Sequence, residues 1–245
     1  MSGHSKWHSI KHQKGIADAR RGQAFTKLAK MVTVAAKQGG PNPDMNFKLR
    51  LAIAKAKQGN MPNSNIDRAI AAASGSGKDS IEEIVYEGYA PGGVAILMEV
   101  ATDNRNRSAS EVRSTLTKNG GSLGESGSVS WQFESKGVLS IDKVDDDSAL
   151  ELIDAGAIDV TEEEPVIIYT KPGDLEMVKA KAEELGLKVE NASVELVPKQ
   201  KVKITDQAQA TKLFKLIEML EELDDVTNVY ANYEMDDAVF EQAMK

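Results

Sequence analysis

The sequence predicts an α+β protein: an N-terminal three-helix domain followed by two α/β domains of ferredoxin-like type, the second inserted in the first. Apolar residues recur every three or four positions before residue 78, and they alternate with polar residues after it. Between residues 136 and 198, the predicted elements follow the order β-α-β-β-α-β. With 245 residues, 41% of them hydrophobic, the chain can form more than one core.

The N-terminal part predicts a basic arm followed by three helices. Residues 1–15 show no apolar periodicity. An apolar stripe that includes Phe25, Leu28 and Val32 then indicates a helix that ends before two glycines and a proline. A capping box from Ser64 to Asp67 is expected to open the third helix. The three helices are predicted over residues 16–38, 46–58 and from 64 to a linker at 74–77.

The segment after the linker predicts three strands and one helix. A polar loop is expected from Asp103 to Arg107, and Ser108 to Glu111 matches a capping box that opens a helix to about Asn119. Val129, Trp131 and Phe133 alternate and favour a strand. The predicted strands cover residues 81–90, 93–102 and 128–134.

The following segment carries the ferredoxin-like pattern. Its first helix is expected to face inward through Ala149, Leu150 and Ile153. Its strands are predicted at 138–141, 157–160, 166–170 and 187–197, and its helices at 147–155 and 172–186. A further β-α-β follows, with strands at 201–204 and 226–234, a helix at 206–223 and a terminal helix at 236–244.

These elements predict three domains. The last β-α-β can complete the sheet that begins after the linker, which makes the ferredoxin-like unit an insertion. The predicted domains are residues 1–78, residues 79–134 with 201–245, and residues 135–200.

The charge of the chain is divided near Lys78. Residues 1–78 carry fourteen Lys and Arg against three acids, Asp18, Asp44 and Asp67, whereas the whole chain has a net charge of −8. A basic segment on an acidic body indicates a polyanionic partner, and we expect a nucleic acid on the first third of the chain.

Composition excludes several classes of function. The chain has no cysteine, which removes disulfides, thiolate nucleophiles and iron–sulfur clusters. No run reaches the roughly 18 apolar residues of a membrane span, and the N-terminus lacks the apolar stretch of a signal peptide. We therefore expect a cytoplasmic protein with no membrane partner, no cofactor and no evident small-molecule ligand.

Candidate nucleic-acid-binding residues lie in the arm and in the first helix. Basic side chains can neutralise phosphates, and an indole can stack on an unpaired base. The alternative is a disordered tail whose tryptophan packs on the helices. The candidates in this part are Lys6, Trp7, Lys11, Lys14, Arg20, Arg21, Lys27 and Lys30.

Two further candidates, Arg105 and Arg107, lie in the polar loop and are flanked by asparagines. Arginine offers a planar fork for phosphate, and asparagine can contact base edges. The alternative is that both arginines pair with local acids such as Glu99 and Glu111.

The remaining motifs of the sequence give weaker evidence for a functional site. The three histidines, His4, His8 and His12, have metal-like spacing but no neighbouring acid or cysteine. Residues 75–78 (GSGK) lack the remainder of a phosphate loop. The glycine-rich segment 120–127 fits a turn and a flexible binding loop equally well. We expect no enzyme, and a hydrolase that uses body carboxylates ranks last among the hypotheses.

Several segments together resemble the YebC/PmpR family. They are MSGHSKWHSIKHQKG at the start, FTKLAK from Phe25, MPNSNIDRAI from Met61 and GGSLGESGSVSWQF from Gly120. The resemblance implies a helical N-terminal domain and two α/β domains. It also implies either a DNA-binding transcriptional regulator or a ribosome- or RNA-binding translation factor that activates translation or relieves stalling. The residues alone leave both functions open.

Overall fold

The structure is a computed structural model that describes residues 18–74, 81–162 and 164–243. Within these residues the chain forms two compact units. The smaller unit comprises Gln132–Lys203 and Asn232–Glu234, and the larger contains the residues up to Trp131, Ile204–Ala231 and those from Met235. The division into three domains predicted above stays a prediction.

The head of the larger unit consists of three helices, α1 (Asp18–Gly39), α2 (Phe47–Gln58) and α3 (Asn63–Ala72). Their apolar faces meet in one core that includes Val32, Leu49 and Ile66. The other buried residues of this core are Ala35, Ala36, Ala52, Ala56, Met61 and Ala69. The helical periodicity of the sequence therefore predicted this part of the fold correctly.

Asn46 fixes the turn between α1 and α2. Its side-chain oxygen accepts a hydrogen bond from Leu49 N at 3.1 Å, and its Nδ2 donates to the carbonyls of Ala35 and Gly40 at 2.8 Å each. A Cβ atom at Gly39 would lie only 2.6 Å from this amide group. Glycine is therefore required for the close approach that lets one buried amide satisfy both helix ends.

The capping box predicted at Ser64 is wrong. Helix α3 begins at Asn63, one residue earlier, and Pro62 occupies the N-cap position without a side-chain hydrogen bond. Proline has a φ angle that suits a helix start and no N–H group to satisfy there, so it can begin the helix without a capping side chain.

The first sheet of the larger unit has the order β3-β1-β2-β9, with every neighbouring pair antiparallel. Its strands are β1 (Glu82–Ala90), β2 (Val94–Thr102), β3 (Ser122–Leu123) and β9 (Val226–Ala231). Helices α4 (Arg105–Lys118) and α7 (Gln207–Glu222) pack with this sheet. Leu97 of β2 pairs with Tyr230 of β9, so the chain returns to this sheet after the intervening unit. The predicted insertion is confirmed.

The smaller unit has the predicted ferredoxin-like order. Its sheet runs β5-β6-β4-β7 and is antiparallel throughout. Its elements are β4 (Phe133–Ile141), α5 (Asp146–Asp154), β5 (Ala157–Val160), β6 (Val166–Thr170), α6 (Leu175–Glu184) and β7 (Val189–Pro198).

The larger fold also contains a short two-stranded sheet and a terminal helix. Strands β8 (Val202–Ile204) and β10 (Tyr233–Met235) form a separate two-stranded sheet. Helix α8 (Asp237–Ala243) packs on α7, where the rings of Phe214 and Phe240 meet edge to face with centroids 5.3 Å apart. The single strand predicted over residues 226–234 is thus two strands separated by Asn232.

The inward face predicted for α5 is wrong in two of its three residues. Leu150 and Ile153 are exposed by 61% and 48%, whereas Leu152 is fully buried. The buried side of this helix therefore runs through Leu152, which lies between the two mispredicted positions Leu150 and Ile153. In a helix with only a few apolar positions, more than one stripe fits the pattern, and packing against the sheet selects between them.

We predict that Leu152→Ala lowers the free energy of unfolding of residues 133–198 by about 2–5 kcal/mol, because it leaves a cavity in the core of this unit. Native-state hydrogen exchange of the amides in β4 and β6 measures this change. Leu150→Ala on the same helix is the control, and we expect it to change the value by less than about 0.5 kcal/mol. Equal effects of the two substitutions would contradict the observed orientation of α5.

Candidate nucleic-acid interface

The predicted binding residues differ in how far the structure describes them. Arg20 and Arg21 lie in the N-terminal part of α1. Lys6, Trp7, Lys11 and Lys14 lie outside the described residues, as do all three histidines. The proposed binding role of the arm therefore stays a prediction.

Asp225 is the centre of a buried polar cluster in the larger unit. It immediately precedes β9 and is only 2% exposed. Its Oδ1 atom accepts from Lys30 Nζ at 2.5 Å. Its Oδ2 atom accepts from Thr102 Oγ1 at 3.0 Å, Ser108 Oγ at 2.5 Å and Arg107 Nη2 at 2.9 Å. One carboxylate thus joins α1, the end of β2, the start of α4 and the start of β9.

The cluster keeps Asp225 ionised. Burial alone would raise the pKa of this carboxyl, but the hydrogen bonds from Lys30, Ser108, Arg107 and Thr102 hold its pKa well below the usual range. A buried carboxylate is tolerated only when its charge and its lone pairs are matched, and here four donors from three other elements match them.

Arg107 lies in the first turn of α4, not in a loop. The helix begins at Arg105, and Asn104 caps it by accepting a hydrogen bond from Arg107 N at 3.1 Å. The loop predicted from Asp103 to Arg107 is therefore wrong. The capping box at Ser108 was misleading because Asn104, four residues earlier, caps the helix, which leaves the Ser108 hydroxyl free to bind Asp225.

The charge of Arg107 is matched within the protein. Its Nη2 atom donates to Asp225 and to Asp103, the latter at 2.7 Å, and both carboxylates raise the pKa of the guanidinium. Ion pairing was the alternative drawn from the sequence, but the partners are these two residues and not Glu99 or Glu111. Lys30, Arg107, Asp103 and Asp225 together carry no net charge.

Lys27 and Lys30 also tie α1 to the end of α7. Lys27 Nζ donates to the carbonyl of Glu221 in the last turn of α7, and Lys30 Nζ donates to the carbonyl of Asp224 at 3.2 Å. Cations are favourable at the C-terminal end of a helix, where carbonyl groups lack helical partners. Both lysines therefore have a structural role in the joint between the head and the sheet.

Arg105 has a different environment from Arg107. It is exposed, and it makes no ion pair with any residue in the described part of the chain. Its backbone carbonyl accepts a hydrogen bond from Tyr86 Oη at 3.1 Å, which fixes the start of α4 against β1. Of the two arginines predicted from the sequence, Arg105 is thus the one that no carboxylate of the described residues pairs with.

The head carries further exposed cations that the sequence reasoning counted but did not single out. Lys37, Lys48, Lys57 and Arg68 are exposed, and among the described residues none of the four forms an ion pair. Lys37 and Lys48 donate only to neutral oxygens, those of Ile81 and Gln38. No described carboxylate matches these four side chains, so each contributes a full positive charge to the surface of the head.

Helix α2 has two basic flanks with different surroundings. Lys48 and Lys55, seven residues apart, share one flank, and Lys55 Nζ donates to Asn228 Oδ1 of β9 at 3.3 Å. Arg50 and Lys57 share the other flank. Arg50 donates to the carbonyl of Pro43 at 2.6 Å, with its guanidinium 5.5 Å from the centre of the Phe47 ring. The Arg50 flank is therefore the one turned away from the sheet.

The glycine-rich segment 120–127 is ordered by Glu87 of β1. The Glu87 carboxylate accepts hydrogen bonds from the N–H groups of Gly127, Val129 and Ser130 at 2.6–2.8 Å. Burial alone would raise the pKa of Glu87, but these backbone hydrogen bonds lower it. The strand predicted over residues 128–134 is wrong for the same reason: residues 130–132 form a 3-10 turn, and β4 begins at Phe133.

Two classes of site find no support in the described residues. No group of three or more His, Asp or Glu side chains there could hold a metal ion. Among the same residues, no helix has the length and hydrophobicity that a bilayer crossing requires.

The chain matches two family models over most of its length. A model described as "TACO1/YebC protein N-terminal domain" matches residues 5–76, and one described as "TACO1/YebC second and third domain" matches residues 81–233. These ranges correspond to the helical head and to the two α/β parts of the fold.

Relatives and a solved structure match nearly the whole chain. A protein of Halothermothrix orenii is 49% identical over 99% of this chain and 98% of its own length, and one of Roseiflexus castenholzii is 51% identical over 99% and 98%. Both are named probable transcriptional regulatory protein. The crystal structure of a conserved hypothetical protein from Aquifex aeolicus is similar with a TM-score of 0.83 and 47% identity, over 93% of this chain and 96% of that one.

We predict that Asp225→Asn lowers the free energy of unfolding by about 3 kcal/mol, because it leaves the largely buried ammonium group of Lys30 without a compensating charge. Urea denaturation followed by circular dichroism measures the change. Asp103→Asn is the control: this half-exposed carboxylate also binds Arg107, and its loss should cost less than about 1 kcal/mol. Equal effects of the two substitutions would contradict a central role for Asp225.

The stability that Asp225 contributes depends on pH. The unfolded carboxyl binds a proton near pH 4, whereas folded Asp225 resists protonation because its pKa is lowered. Its stabilisation is therefore complete above about pH 4 and is lost as the pH falls further. We expect the free energy of unfolding of Asp225→Asn to fall less steeply below about pH 4 than that of the unchanged protein.

Proposed function

The chain belongs to the TACO1/YebC family, and from this premise we propose that it is a nucleic-acid-binding regulator of gene expression whose helical head contacts phosphates. The observation that carries the proposal is the set of exposed cations on the head, Lys37, Lys48, Lys57 and Arg68, which no described carboxylate neutralises. The relatives are named as regulatory proteins and not as enzymes, which supports a non-catalytic role.

The binding residues fall into two groups under this proposal. Lys27 and Lys30 hold the head against the end of α7 and the start of β9, and Arg107 holds α4 at the same carboxylate, so all three already donate to groups of the protein. The residues that contact phosphate are then the exposed cations of the head, Arg105 and the predicted basic residues Lys6, Lys11, Lys14, Arg20 and Arg21. Trp7 is the predicted stacking residue.

DNA-binding transcriptional regulation is the first candidate. The names of the relatives support it. Arg105 also supports it, because an exposed arginine in the first turn of a helix can contact a phosphate together with the N–H groups of that turn. Asn106 beside it is exposed and has a side chain suited to base edges.

Binding of RNA or of the ribosome, in the manner of a translation factor, is the second candidate. The distribution of the exposed cations favours it: Lys37, Lys57 and Arg68 lie on three different helices and not along one face of a single helix. A dispersed set of phosphate contacts suits recognition of a folded RNA by its shape, whereas a helix that reads a DNA groove concentrates its contacts.

We predict that the double variant Lys57→Gln, Arg68→Gln weakens the salt dependence of binding. Each lost phosphate contact reduces the slope of log K against log salt by about 0.7–0.9, so the slope should fall by about 1.4–1.8. Fluorescence anisotropy of a labelled oligonucleotide at several salt concentrations measures it. The control, Lys212→Gln with Lys215→Gln on α7, removes the same charge from the body. If both pairs change the slope equally, binding reflects total charge and not the head.

The two candidates predict different bound molecules after crosslinking in cells. A transcriptional regulator should recover discrete DNA segments upstream of genes, and a translation factor should recover ribosomal or messenger RNA and sediment with ribosomes. Sequencing of both pools from one tagged preparation makes the comparison direct. We expect DNA under the first candidate. Recovery of RNA alone would reject it in favour of the second, and recovery of neither nucleic acid would reject both.

A further inference from the structure

Four apolar side chains are exposed around the turn that joins α5 to β5 in the smaller unit. Leu150 and Ile153 lie three positions apart on α5 and are exposed by 61% and 48%. Ile158 of β5 is exposed by 53%, and Met177 of α6 by 56%. Single exposed apolar residues are ordinary, but four of them on adjoining elements form an apolar patch of the kind that marks interaction sites.

Contacts between the elements bring the four residues of this apolar patch together. Helix α5 packs against both β5 and α6. Gly156 lies in the turn between α5 and β5, and its N–H group donates to the carbonyl of Ile153 at 2.9 Å. Met177 Cε lies 3.5 Å from the position that a Cβ atom at Gly156 would occupy. The end of α5, the start of β5 and the Met177 side chain therefore meet at this turn, and Leu150 lies one helical turn earlier.

Acidic residues lie beside the apolar patch. Residues 144–170 contain nine Asp and Glu and no Lys, Arg or His. Asp147 lies three positions before Leu150, and the two residues therefore share one side of α5. Asp154 and Asp159 directly follow the last patch residue of α5 and the patch residue of β5. The apolar surface thus has negative charge at its edges.

The protein itself does not neutralise these acids. Glu151 of α5 pairs with Lys181 of α6, with their charged atoms 2.7 Å apart. The neighbouring acids differ from Glu151, because they are exposed and form no ion pair with any residue that the structure describes. They are Asp146, Asp147, Asp154 and Asp159. The edges of the apolar patch therefore attract a positively charged ligand.

We propose that the apolar patch binds a basic amphipathic helix of another protein. Such a helix carries apolar side chains at every third or fourth position, which can lie on the patch, and lysines and arginines that can pair with the flanking acids. The inference does not depend on nucleic-acid binding by the head. It assigns the smaller unit a separate function, the recruitment of a basic partner protein.

The shape of β5 favours a helix over an added strand. β5 is an edge strand, since β6 is its one neighbour in the sheet. Its pairing with β6 shifts between Ala157 and Asp159, so that Ile158 is an extra residue in the ladder. A bulge bends an edge strand and hinders the addition of a further strand.

Charge also disfavours two other occupants of the apolar patch. A nucleic acid would bring phosphates to a segment that has nine acids and no cation. A second copy of the chain would place these acids opposite the same acids, and like charges that face each other across an interface cost binding energy. A basic protein is the partner whose charge complements this surface.

The experiment uses the full chain and a synthetic peptide as the probe. The peptide has about 18 residues, enough for about five helical turns, with leucine at every third or fourth position and lysine elsewhere. The control peptide has the same composition in an order that distributes the leucines around the helix. Fluorescence anisotropy of the labelled peptides measures binding. We expect the amphipathic peptide to bind at least about tenfold more tightly than the control peptide.

Apolar substitutions test whether the peptide lies on the patch. Leu150→Gln with Met177→Gln should weaken binding of the amphipathic peptide at least about tenfold, because it removes two apolar contacts. Both residues are exposed, so the variant should fold, and circular dichroism checks this. The matched control is Met45→Gln, which changes a methionine of the head that is 85% exposed. We expect this control to leave the affinity for the peptide unchanged.

Acid substitutions test the contribution of charge. Asp147→Asn with Asp154→Asn should weaken binding at low salt and should reduce the dependence of binding on salt, because two ion pairs with the peptide are lost. Glu111→Gln with Glu125→Gln removes the same charge from exposed positions of the larger unit. We expect this second pair to change the salt dependence much less.

Four outcomes would overturn the proposal. The first is equal binding of the two peptides, or no binding of the amphipathic one. The second is an equal effect of Leu150→Gln with Met177→Gln and of its control. Sedimentation that shows a dimer of the unchanged protein, lost in Leu150→Gln with Met177→Gln, would make a second copy the occupant. Weaker oligonucleotide binding by the same variant would assign the patch to nucleic acid. Absence of oligonucleotide binding together with intact peptide binding would reject the proposed function and support this inference.

Discussion

The carboxylate of Asp225 is the constraint on which the arrangement of the larger unit depends. It receives hydrogen bonds from α1, from the end of β2 and from the first turn of α4, and it lies at the start of β9. A buried charge is stable only if all of these donors are in place together. The head, the sheet and α4 must therefore be in place at once, which explains why a basic helical segment and an acidic α/β segment form one compact unit.

A second carboxylate, that of Glu87, accepts hydrogen bonds from backbone N–H groups, whereas Asp225 accepts them from side chains. It accepts hydrogen bonds from three backbone N–H groups, those of Gly127, Val129 and Ser130, and thereby fixes the end of the glycine-rich segment against β1. The acidic composition of the body thus has specific structural uses at two buried positions. Other acids, such as Asp146 and Asp147 in the first turn of α5, are exposed.

The sequence predicted the parts of the fold that depend on local periodicity. The ferredoxin-like order and the three head helices follow from repeats of apolar residues within each element. The parts of the structure that the sequence could not predict depend on contacts between residues that are far apart in the chain. Ser128 to Glu134 alternates like a strand, but Glu87, about 40 positions earlier, takes its N–H groups. Lys30 looks like any solvated lysine, because its partner lies 195 positions away. The Asn104 cap is a local signal, and a search for caps upstream of Ser108 could have found it.

A basic segment indicates nucleic-acid binding only through those of its cations that pair with no carboxylate of the protein. Counting charges assigns equal weight to Lys30, Arg107 and Lys57, yet the first two belong to a cluster with no net charge and the third does not. Only an unmatched cation can release counterions when a phosphate approaches, since a matched one must first give up its partner. The phosphate-binding surface of such a protein is therefore defined by the cations that stay unmatched after folding.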